Sequence, residues 1–196
     1  MAGMGETMTG IEILKASDRK PMPWKNGGGE TIEIAVHPAD ASLETFDWRL
    51  SIATVAVDGP FSTFAGIDRT IAVLTGDGMD MRIDGEPQRL TPETAPFPFQ
   101  GDSKTEAWLI GGPVRDLNIM SRRTTLRHRM ERLDITAPTR IETEGGECLV
   151  LAVDACRVGD VVLDVYDVAR LAPTSMPVTV EPQGRTRIFV IRLFAA

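Results

Sequence analysis

Apolar and polar residues alternate along most of the chain. Short runs with a period of two residues recur, separated by Gly, Pro and Asp: Thr31–Val36, Trp48–Val55, Thr70–Leu74, Met79–Ile83, Ala107–Ile110, Leu117–Met120, Glu147–Val153, Val161–Val165 and Arg187–Leu193. This alternation predicts β-strands, because successive side chains of a strand point to opposite faces. Only Pro38–Leu43 and Leu126–Leu133 have a pattern compatible with a helical turn or two. The sequence therefore predicts an all-β protein rather than a helical bundle or a βαβ fold.

Two proline-containing segments resemble each other and indicate an internal repeat. Leu90–Phe99 aligns with Leu171–Val180 in its leucine, in both prolines and in the final alternating apolar pair. Each segment then leads to a glycine and a further apolar strand. We therefore predict two related β-units, as a pair of small barrels or jelly rolls, in which these segments superpose. A single unit of roughly 70 to 80 residues would bury a thin core, so we expect the two to pack closely.

Charge and composition exclude several classes of protein. The chain has 196 residues, 42% of them hydrophobic, and its 21 basic and 28 acidic residues give a net charge of -7. An acidic chain whose one arginine-rich segment is Arg122–Arg132 is not expected to bind nucleic acid, and we interpret that segment as a solvated connection or a groove wall. Without an export signal or an apolar stretch near 20 residues, we expect a cytoplasmic protein with no membrane contact. Cys148 and Cys156 are interpreted as unpaired, because the cytoplasm is reducing.

A glycine-rich stretch near the start of the chain is a candidate ligand loop. Its residues that would contact a ligand are Trp24, Lys25, Asn26, Gly27, Gly28 and Gly29. Bare backbone N–H groups in such a turn can attract an anion, while Trp24 can supply an apolar wall and Lys25 a positive charge. The alternative is a tight turn that leads into a strand and binds nothing. The stretch lacks the spacing of a P-loop or of a dinucleotide-binding motif, so a nucleotide is not the expected ligand.

Polar residues share one face of two predicted strands. Arg49 and Ser51 alternate with apolar residues along one strand, and Asp116 and Asn118 do so along another. The alternative for this face is a half-solvated sheet surface. If it points into a barrel, the side chains form a pocket in which arginine suits bidentate recognition of a carboxylate. We predict that the glycine-rich loop lies beside Arg49, Ser51 and Asn118 at the mouth of the first barrel.

Five segments taken together resemble the HutD/Ves family of cupin-fold proteins. In chain order they are Met22–Thr31, Trp48–Ala53, Gly59–Arg69, Phe99–Asp102 and Gly112–Met120. The resemblance implies two cupin-like β-barrels in one compact chain (a bicupin), associated with bacterial histidine utilisation. We accordingly expect an N-terminal barrel over residues 1–123, including the glycine-rich loop, and a C-terminal barrel over residues 124–196.

The metal-binding motif of the cupin fold is not preserved in this sequence. Anchored on Gly76, the motif would place its two histidines at Ser62 and Phe64. Its glutamate would fall at Arg69. Metal sites need imidazole or carboxylate ligands that converge on one point, so we expect no metal and no other cofactor. We assign Ser62, Phe64 and Arg69 to the ligand pocket instead, with a local ion pair to Asp68 as the alternative for Arg69.

Two classes of function stay open. The first is a non-catalytic accessory protein that binds a small carboxylate intermediate of histidine utilisation, such as urocanate or N-formylglutamate. The second is a metal-independent isomerase or hydrolase acting on a small anionic metabolite, with Lys25, Asp68 or Asp116 as acid or base. No nucleophile motif such as Gly-x-Ser-x-Gly supports the enzyme, so binding is the function that we expect. A pocket filled by its own side chains would favour a structural module, and a homodimer is an open expectation because exposed barrel faces often pair.

Overall fold

The computed structural model describes residues 10–196, whose regular secondary structure is almost entirely β-strand. The strands are β1 (Ile11–Leu14), β2 (Pro21–Pro23), β3 (Gly29–His37), β4 (Trp48–Val55), β5 (Gly59–Pro60), β6 (Ile67–Thr75), β7 (Met79–Ile83), β8 (Glu86–Leu90), β9 (Phe97–Gln100), β10 (Thr105–Leu109), β11 (Val114–Arg122), β12 (Leu126–Ile135), β13 (Thr139–Ile141), β14 (Glu147–Ala152), β15 (Cys156–Val158), β16 (Val161–Leu163), β17 (Val168–Leu171), β18 (Val178–Pro182) and β19 (Thr186–Ala195). Helical structure in this range is limited to a 3-10 turn, Ala16–Asp18. Within it, no helix reaches the length and hydrophobicity that a membrane crossing requires. The prediction of an all-β protein is confirmed.

The chain divides into two compact units. The first unit comprises Arg19–Arg127 with Ala196, and the second comprises His128–Ala195 together with the described residues that precede Arg19. The predicted division into residues 1–123 and 124–196 differs from this arrangement chiefly at the N-terminus. There, β1 pairs with β17 and adds an edge strand to the second unit. A pairing between such distant segments leaves no local pattern in the sequence.

Two sheets pack face to face in the first unit. One has six strands in the order β2-β3-β4-β11-β6-β9, and the other has four in the order β5-β10-β7-β8. Side chains from both sheets form a large apolar cluster of Val55, Ile71, Val73, Met79, Met81, Leu90, Ala107 and Val114. A small apolar cluster contains Phe46, Ile67 and Met120. The hydrogen-bonded strands form open sheets rather than a closed barrel, which corrects the predicted closed barrels.

The second unit repeats the strand connectivity of the first. Its larger sheet contains the order β12-β19-β14-β17, which matches β4-β11-β6-β9 strand for strand. Its smaller sheet, β13-β18-β15-β16, matches β5-β10-β7-β8 in the same way. The two units therefore have related topologies, as the internal repeat led us to expect.

The specific alignment that indicated the repeat is wrong. Leu90–Phe99 runs from the end of β8 into β9, whereas Leu171–Val180 runs from the end of β17 into β18. By connectivity, β9 corresponds to β17, so the aligned segments are displaced by one strand. Both segments carry the chain from one sheet to the other, and similar proline-containing turns suit both crossings. The sequence similarity therefore reflects similar turns between two sheets and not equivalent positions in the two units.

The structure also overturns the expectation of helical character in Leu126–Leu133. These residues lie in β12, and the segment Pro38–Leu43 forms turns and bends. The arginine-rich segment is thus partly a strand, on which Arg129 pairs with Glu144 at 2.7 Å. Alternating burial along the first half of β12 shows that period-two patterning prevailed over local helix propensity.

Candidate functional site

Buried polar residues occupy the inner face of the six-stranded sheet in the first unit. The register places Arg49 on β4 and Arg69 on β6 at either side of Met120 on β11, and Ser51 opposite Asn118. Directly opposite residues of antiparallel strands project to the same side of a sheet. Each of these polar residues is at most 8% exposed. We call the following residues the polar cluster: Arg49, Ser51, Arg69, Asp116 and Asn118.

The polar cluster lies between the two apolar clusters of this unit. Along β6, Arg69 is flanked on its own face by Ile67, which belongs to the small apolar cluster, and by Ile71, which belongs to the large one. Along β11, Asp116 follows the buried Val114 of the large cluster on the same face. Sheet interiors are ordinarily apolar, so charged groups between the two clusters are costly unless they are paired and hydrogen-bonded.

Arg69 is held by aromatic rings rather than by a carboxylate. Its guanidinium carbon lies 4.9 Å from the ring centre of Phe99, 5.5 Å from that of Phe61 and 5.6 Å from that of Phe64. Its Nη1 donates a hydrogen bond to the backbone carbonyl of Ser62 at 3.3 Å. Ser62, Phe64 and Arg69, which the cupin register grouped, are therefore neighbours in space. Phe61 and Phe99 complete the cage, and sequence reasoning missed that role.

Burial shifts the pKa values of the two opposite charges in the polar cluster. Desolvation raises the pKa of Asp116 to about 7, and the positive charge of Arg69 only partly opposes this. Desolvation lowers the pKa of Arg69 to about 10, with Asp116 opposing the change and Arg49 adding to it. At neutral pH Arg69 is therefore cationic, while Asp116 is poised between its protonated and ionised forms.

Four buried atoms of the polar cluster have no hydrogen-bond partner. They are Nε of Arg69, Oδ1 and Oδ2 of Asp116, and Oδ1 of Asn118. More than nine-tenths of buried polar groups in folded proteins are paired, so a concentration of unpaired ones in one place calls for an explanation. Ordered water or a bound small molecule would supply the missing partners.

Arg49, unlike Arg69, forms an ion pair with a carboxylate. Its Nε donates to Oε2 of Glu33 at 2.7 Å, and its Nη1 lies 3.5 Å from the hydroxyl of Ser51. Sequence reasoning did not include Glu33. The alternation of polar and apolar residues along β3 could have indicated Glu33. A bulge between Glu33 and Ala35 interrupts the register of that strand, however. Glu33 neutralises part of the positive charge that the sequence assigned to this face.

The glycine-rich loop forms the hairpin turn between β2 and β3. The backbone N–H of Trp24 donates to the carbonyl of Gly29 at 2.9 Å, and that of Gly27 donates to the carbonyl of Trp24 at 3.0 Å. The side-chain oxygen of Asn26 accepts from the N–H of Gly28 at 3.0 Å. Gly27 has a φ of 71°, and a Cβ on Gly29 would clash with the carbonyl oxygen of Thr54. The glycines are thus explained by the turn and by close backbone approach.

This loop lies at the opposite end of the sheet from Arg49. Gly29 pairs with Val55 at the end of β4, about 20 Å from Arg49 at roughly 3.3 Å per residue. The predicted placement of the loop beside Arg49, Ser51 and Asn118 is therefore wrong. Trp24 donates from Nε1 to the hydroxyl of Thr31 at 2.8 Å and packs on the large apolar cluster, while Lys25 is exposed. A ligand contact by the loop stays a prediction.

Of the three candidate acid–base groups, only Asp116 belongs to the polar cluster. Asp68 lies 2.9 Å from a guanidinium nitrogen of Arg123 and has a side chain that is 40% exposed. Lys25 is exposed in the hairpin turn. The local ion pair between Asp68 and Arg69, which was the alternative for Arg69, is not formed, because neighbouring side chains of β6 project to opposite faces of the sheet.

The two buried charged residues of the second unit that the structure describes, Asp167 and Arg192, are paired with Lys15 and Glu131. The buried cluster of this unit consists of aliphatic side chains and two free cysteines, Cys148 and Cys156. Burial raises the pKa of each thiol to about 11, which keeps both protonated and unreactive. Among residues 10–196, no group of three or more His, Cys, Asp or Glu side chains is arranged to hold a metal ion. The expected lack of a cofactor remains a prediction.

A surface cavity of about 730 Å³ lies on the four-stranded sheet of the first unit. Its lining residues are Asp80, Met81, Arg82, Pro87, Gln88, Arg89, Glu106 and Trp108. Arg89 donates to both carboxylate oxygens of Asp80 at 2.7 Å, so the main charges here already satisfy each other. The polar cluster, with its unpaired atoms, is the stronger candidate site.

Comparison with known proteins identifies close relatives over nearly the whole chain. The HutD family matches residues 16–189. An "Uncharacterized 21.2 kDa protein in hutC 3'region" of Pseudomonas putida is 40% identical over 185 residues, which cover 91% of this chain and 95% of that protein. "Protein Ves" of Citrobacter koseri is 36% identical over 150 residues, 74% of this chain and 76% of that protein.

Solved structures agree with this assignment. HutD from Pseudomonas fluorescens SBW25, in a formate condition, has a TM-score of 0.83 at 36% identity and covers 95% of this chain and 99% of its own. A cupin 2 conserved barrel domain protein from Leptotrichia buccalis has a TM-score of 0.57 at 12% identity, covers 89% of this chain and 96% of its own, and shows the fold alone. The fold is therefore cupin-like, and the resemblance found in the sequence is confirmed. The chain belongs to the HutD family.

Proposed function

We propose that this chain is a metal-independent binding protein of histidine utilisation that holds a small carboxylate ligand at the polar cluster. The observation that carries the proposal is the set of four buried atoms on Arg69, Asp116 and Asn118 that have no partner. The names of the relatives supply the pathway: one is HutD, and another is encoded in a hutC 3' region. Urocanate and N-formylglutamate are the carboxylates that we favour as ligands.

The charge balance of the polar cluster favours an anion. Glu33 offsets Arg49, and Asp116 carries a full negative charge only above its pKa of about 7. Arg69 is then the one cation of the polar cluster whose guanidinium is cradled by rings instead of a carboxylate. A carboxylate that approaches its free Nε gains a charge-assisted hydrogen bond in a site removed from water.

We infer further that the chain is a duplicated cupin in which one copy has kept a site. The matching strand order of the two units supports the duplication. The aliphatic interior of the second unit supports a purely structural role for that copy. We also propose that the protein is cytoplasmic and forms a homodimer.

Calorimetric titration of urocanate and of N-formylglutamate tests the binding function. Arg69→Met keeps an unbranched apolar stem but removes the guanidinium and its charge, so we expect at least a tenfold loss of affinity. Arg89→Met, which removes a surface arginine from the same unit, is the matched control and should leave affinity unchanged. If neither compound binds the folded wild-type protein at millimolar concentration, or if Arg69→Met binds as well as wild type, the proposal fails.

One observation favours the enzyme as a second candidate. Asp116 is buried and its pKa of about 7 suits a group that both gives and takes protons at neutral pH. Incubation of the protein with each compound, followed by proton NMR, would reveal a new product. Turnover that Asp116→Asn abolishes would establish the enzyme, and unchanged spectra after prolonged incubation would eliminate it for these compounds.

A further inference from the structure

We infer that the ligand carries an N–H donor in addition to its carboxylate, and that this donor lies against Asp116 and Asn118 while the carboxylate lies against Arg69. The inference rests on the proposed function and adds to it the requirement for an N–H group and the orientation of the ligand. It follows from an inventory of the unpaired atoms in the polar cluster.

The unpaired atoms are mostly acceptors. Both oxygens of Asp116 and the oxygen of Asn118 lack donors, whereas only Nε of Arg69 lacks an acceptor. A plain carboxylate offers acceptors alone, so it would satisfy Arg69 and leave the other three atoms unmet. It would also bring a second negative charge towards Asp116. A ligand with a carboxylate at one end and an N–H group at the other supplies an acceptor to Arg69 and a donor to the oxygens of Asp116 or Asn118.

The requirement does not depend on how the amide of Asn118 is oriented. Side-chain oxygen and nitrogen atoms of asparagine can be interchanged by a flip, but the two oxygens of a carboxylate are equivalent acceptors. Asp116 is 1% exposed, so bulk water does not reach it freely. The demand for a donor therefore remains whichever way Asn118 is turned.

Arg69 does not itself satisfy Asp116. The two residues lie on neighbouring strands, but Arg69 is opposite Met120 while Asp116 is opposite Val73. On β11, the Cα atom of Asp116 is thus about 13 Å from that of Met120, the residue opposite Arg69. Asn118 lies about midway between them. The guanidinium of Arg69 lies instead over the ring of Phe99, and its Nη1 donates to the carbonyl of Ser62. An elongated molecule can span this interval with its two ends in different chemical environments.

A matched pair of probes isolates the N–H group. Urocanate has a carboxylate on a three-carbon chain attached to an imidazole ring, and 3-(2-furyl)acrylate has the same chain on a ring without an N–H. Both are titrated at pH 8, where Asp116 is ionised. We expect urocanate to bind at least tenfold more tightly, because the furan leaves a buried carboxylate unpaired.

Variants of Asp116 show whether this residue sets the preference. Asp116→Leu should bring the affinity ratio of the two probes close to one, because no acceptor remains at that position. Asp116→Asn keeps one acceptor and should give an intermediate affinity ratio. This variant replaces Asp116→Leu in the test if the leucine variant does not fold. Asp80→Asn removes a surface carboxylate of the same unit and should leave the ratio as in wild type.

The outcomes separate this inference from the proposed function. Equal binding of the two probes to the wild-type protein would overturn the N–H requirement and leave carboxylate binding intact, with bound water as the partner of Asp116. A preference that persists in both Asp116 variants would overturn the assigned orientation. Failure of both probes to bind would remove the inference together with the proposed function for this class of ligand.

Discussion

Replacing Asp116 by Asn should stabilise the unliganded protein above neutral pH. Folding moves this carboxyl group from a pKa of 3.8 to about 7, mainly through burial. One pKa unit corresponds to about 1.4 kcal/mol, so holding the group ionised in the folded state costs about 4 kcal/mol. Asparagine has nearly the same size and no charge. Its amide still lacks partners at this position, which reduces the expected net gain to about 1–3 kcal/mol.

The effect has a defined pH window. Because the folded-state pKa is the higher one, the folded protein binds more protons than the unfolded chain between about pH 4 and pH 7. The contribution of Asp116 to the free energy of unfolding therefore falls as pH rises through that interval and is constant above it. The advantage of Asp116→Asn over wild type should be small or absent near pH 4 and reach its full value at pH 8.

Urea unfolding followed by tryptophan fluorescence measures this difference in the relevant unit. All three tryptophans, Trp24, Trp48 and Trp108, lie in the first unit, so the signal reports on the unit that contains Asp116. Asp80→Asn is the control, since its surface carboxylate pairs with Arg89 and its loss should bring no gain at pH 8. A variant that is less stable than wild type at pH 8, or one whose advantage does not change with pH, would refute the reasoning.

Three further predictions follow from particular contacts. Gly29→Ala should destabilise the first unit by several kcal/mol, because its Cβ would meet the backbone oxygen of Thr54, whereas Gly59→Ala has open space and should change little in the same urea assay. Asp167→Asn should loosen β1. Burial alone would raise the pKa of Asp167, but hydrogen bonds from Lys15 and from the backbone of Ala16 and Asp164 lower it, so its stabilisation is present above pH 3.8 and is lost as pH falls through the lower folded-state value. Faster amide exchange in β1 of this variant at pH 7 would bear this out, and unchanged exchange would contradict it. Treatment with a chelator should leave urocanate affinity unchanged, and a loss of affinity that added metal restores would show that a metal takes part.

Period-two patterning predicted segments that overlap nine of the nineteen strands, and it grouped four of the five residues of the polar cluster; Arg69 was assigned from the cupin register. Arg49, Ser51, Asp116 and Asn118 were grouped because alternation alone decides which face a strand residue occupies. Both faces of β4 proved to be buried, so pattern could group the residues but could not tell which face was the interior. Period two also prevailed in β12, where the local composition had suggested a helical turn.

What the sequence could not provide was the pairing of distant segments. The glycine-rich loop could be recognised as a turn, but its position relative to Arg49 depends on the register of β3 against β4. The union of β1 with β17 and the cage around Arg69 likewise depend on contacts between separated strands. The alignment of Leu90–Phe99 with Leu171–Val180 failed for a related reason, because similar turns occur at two different sheet crossings.

A crystal structure of the protein with bound urocanate tests the central claim most directly. We predict one ligand inside the first unit, with its carboxylate within hydrogen-bonding distance of Arg69 and its imidazole N–H within hydrogen-bonding distance of Asp116. Urocanate bound only in the surface cavity beside Trp108, or at the hairpin turn around Gly28, would contradict the account. So would an interior in which the unpaired atoms of Asp116 are met by water alone while the ligand is bound elsewhere.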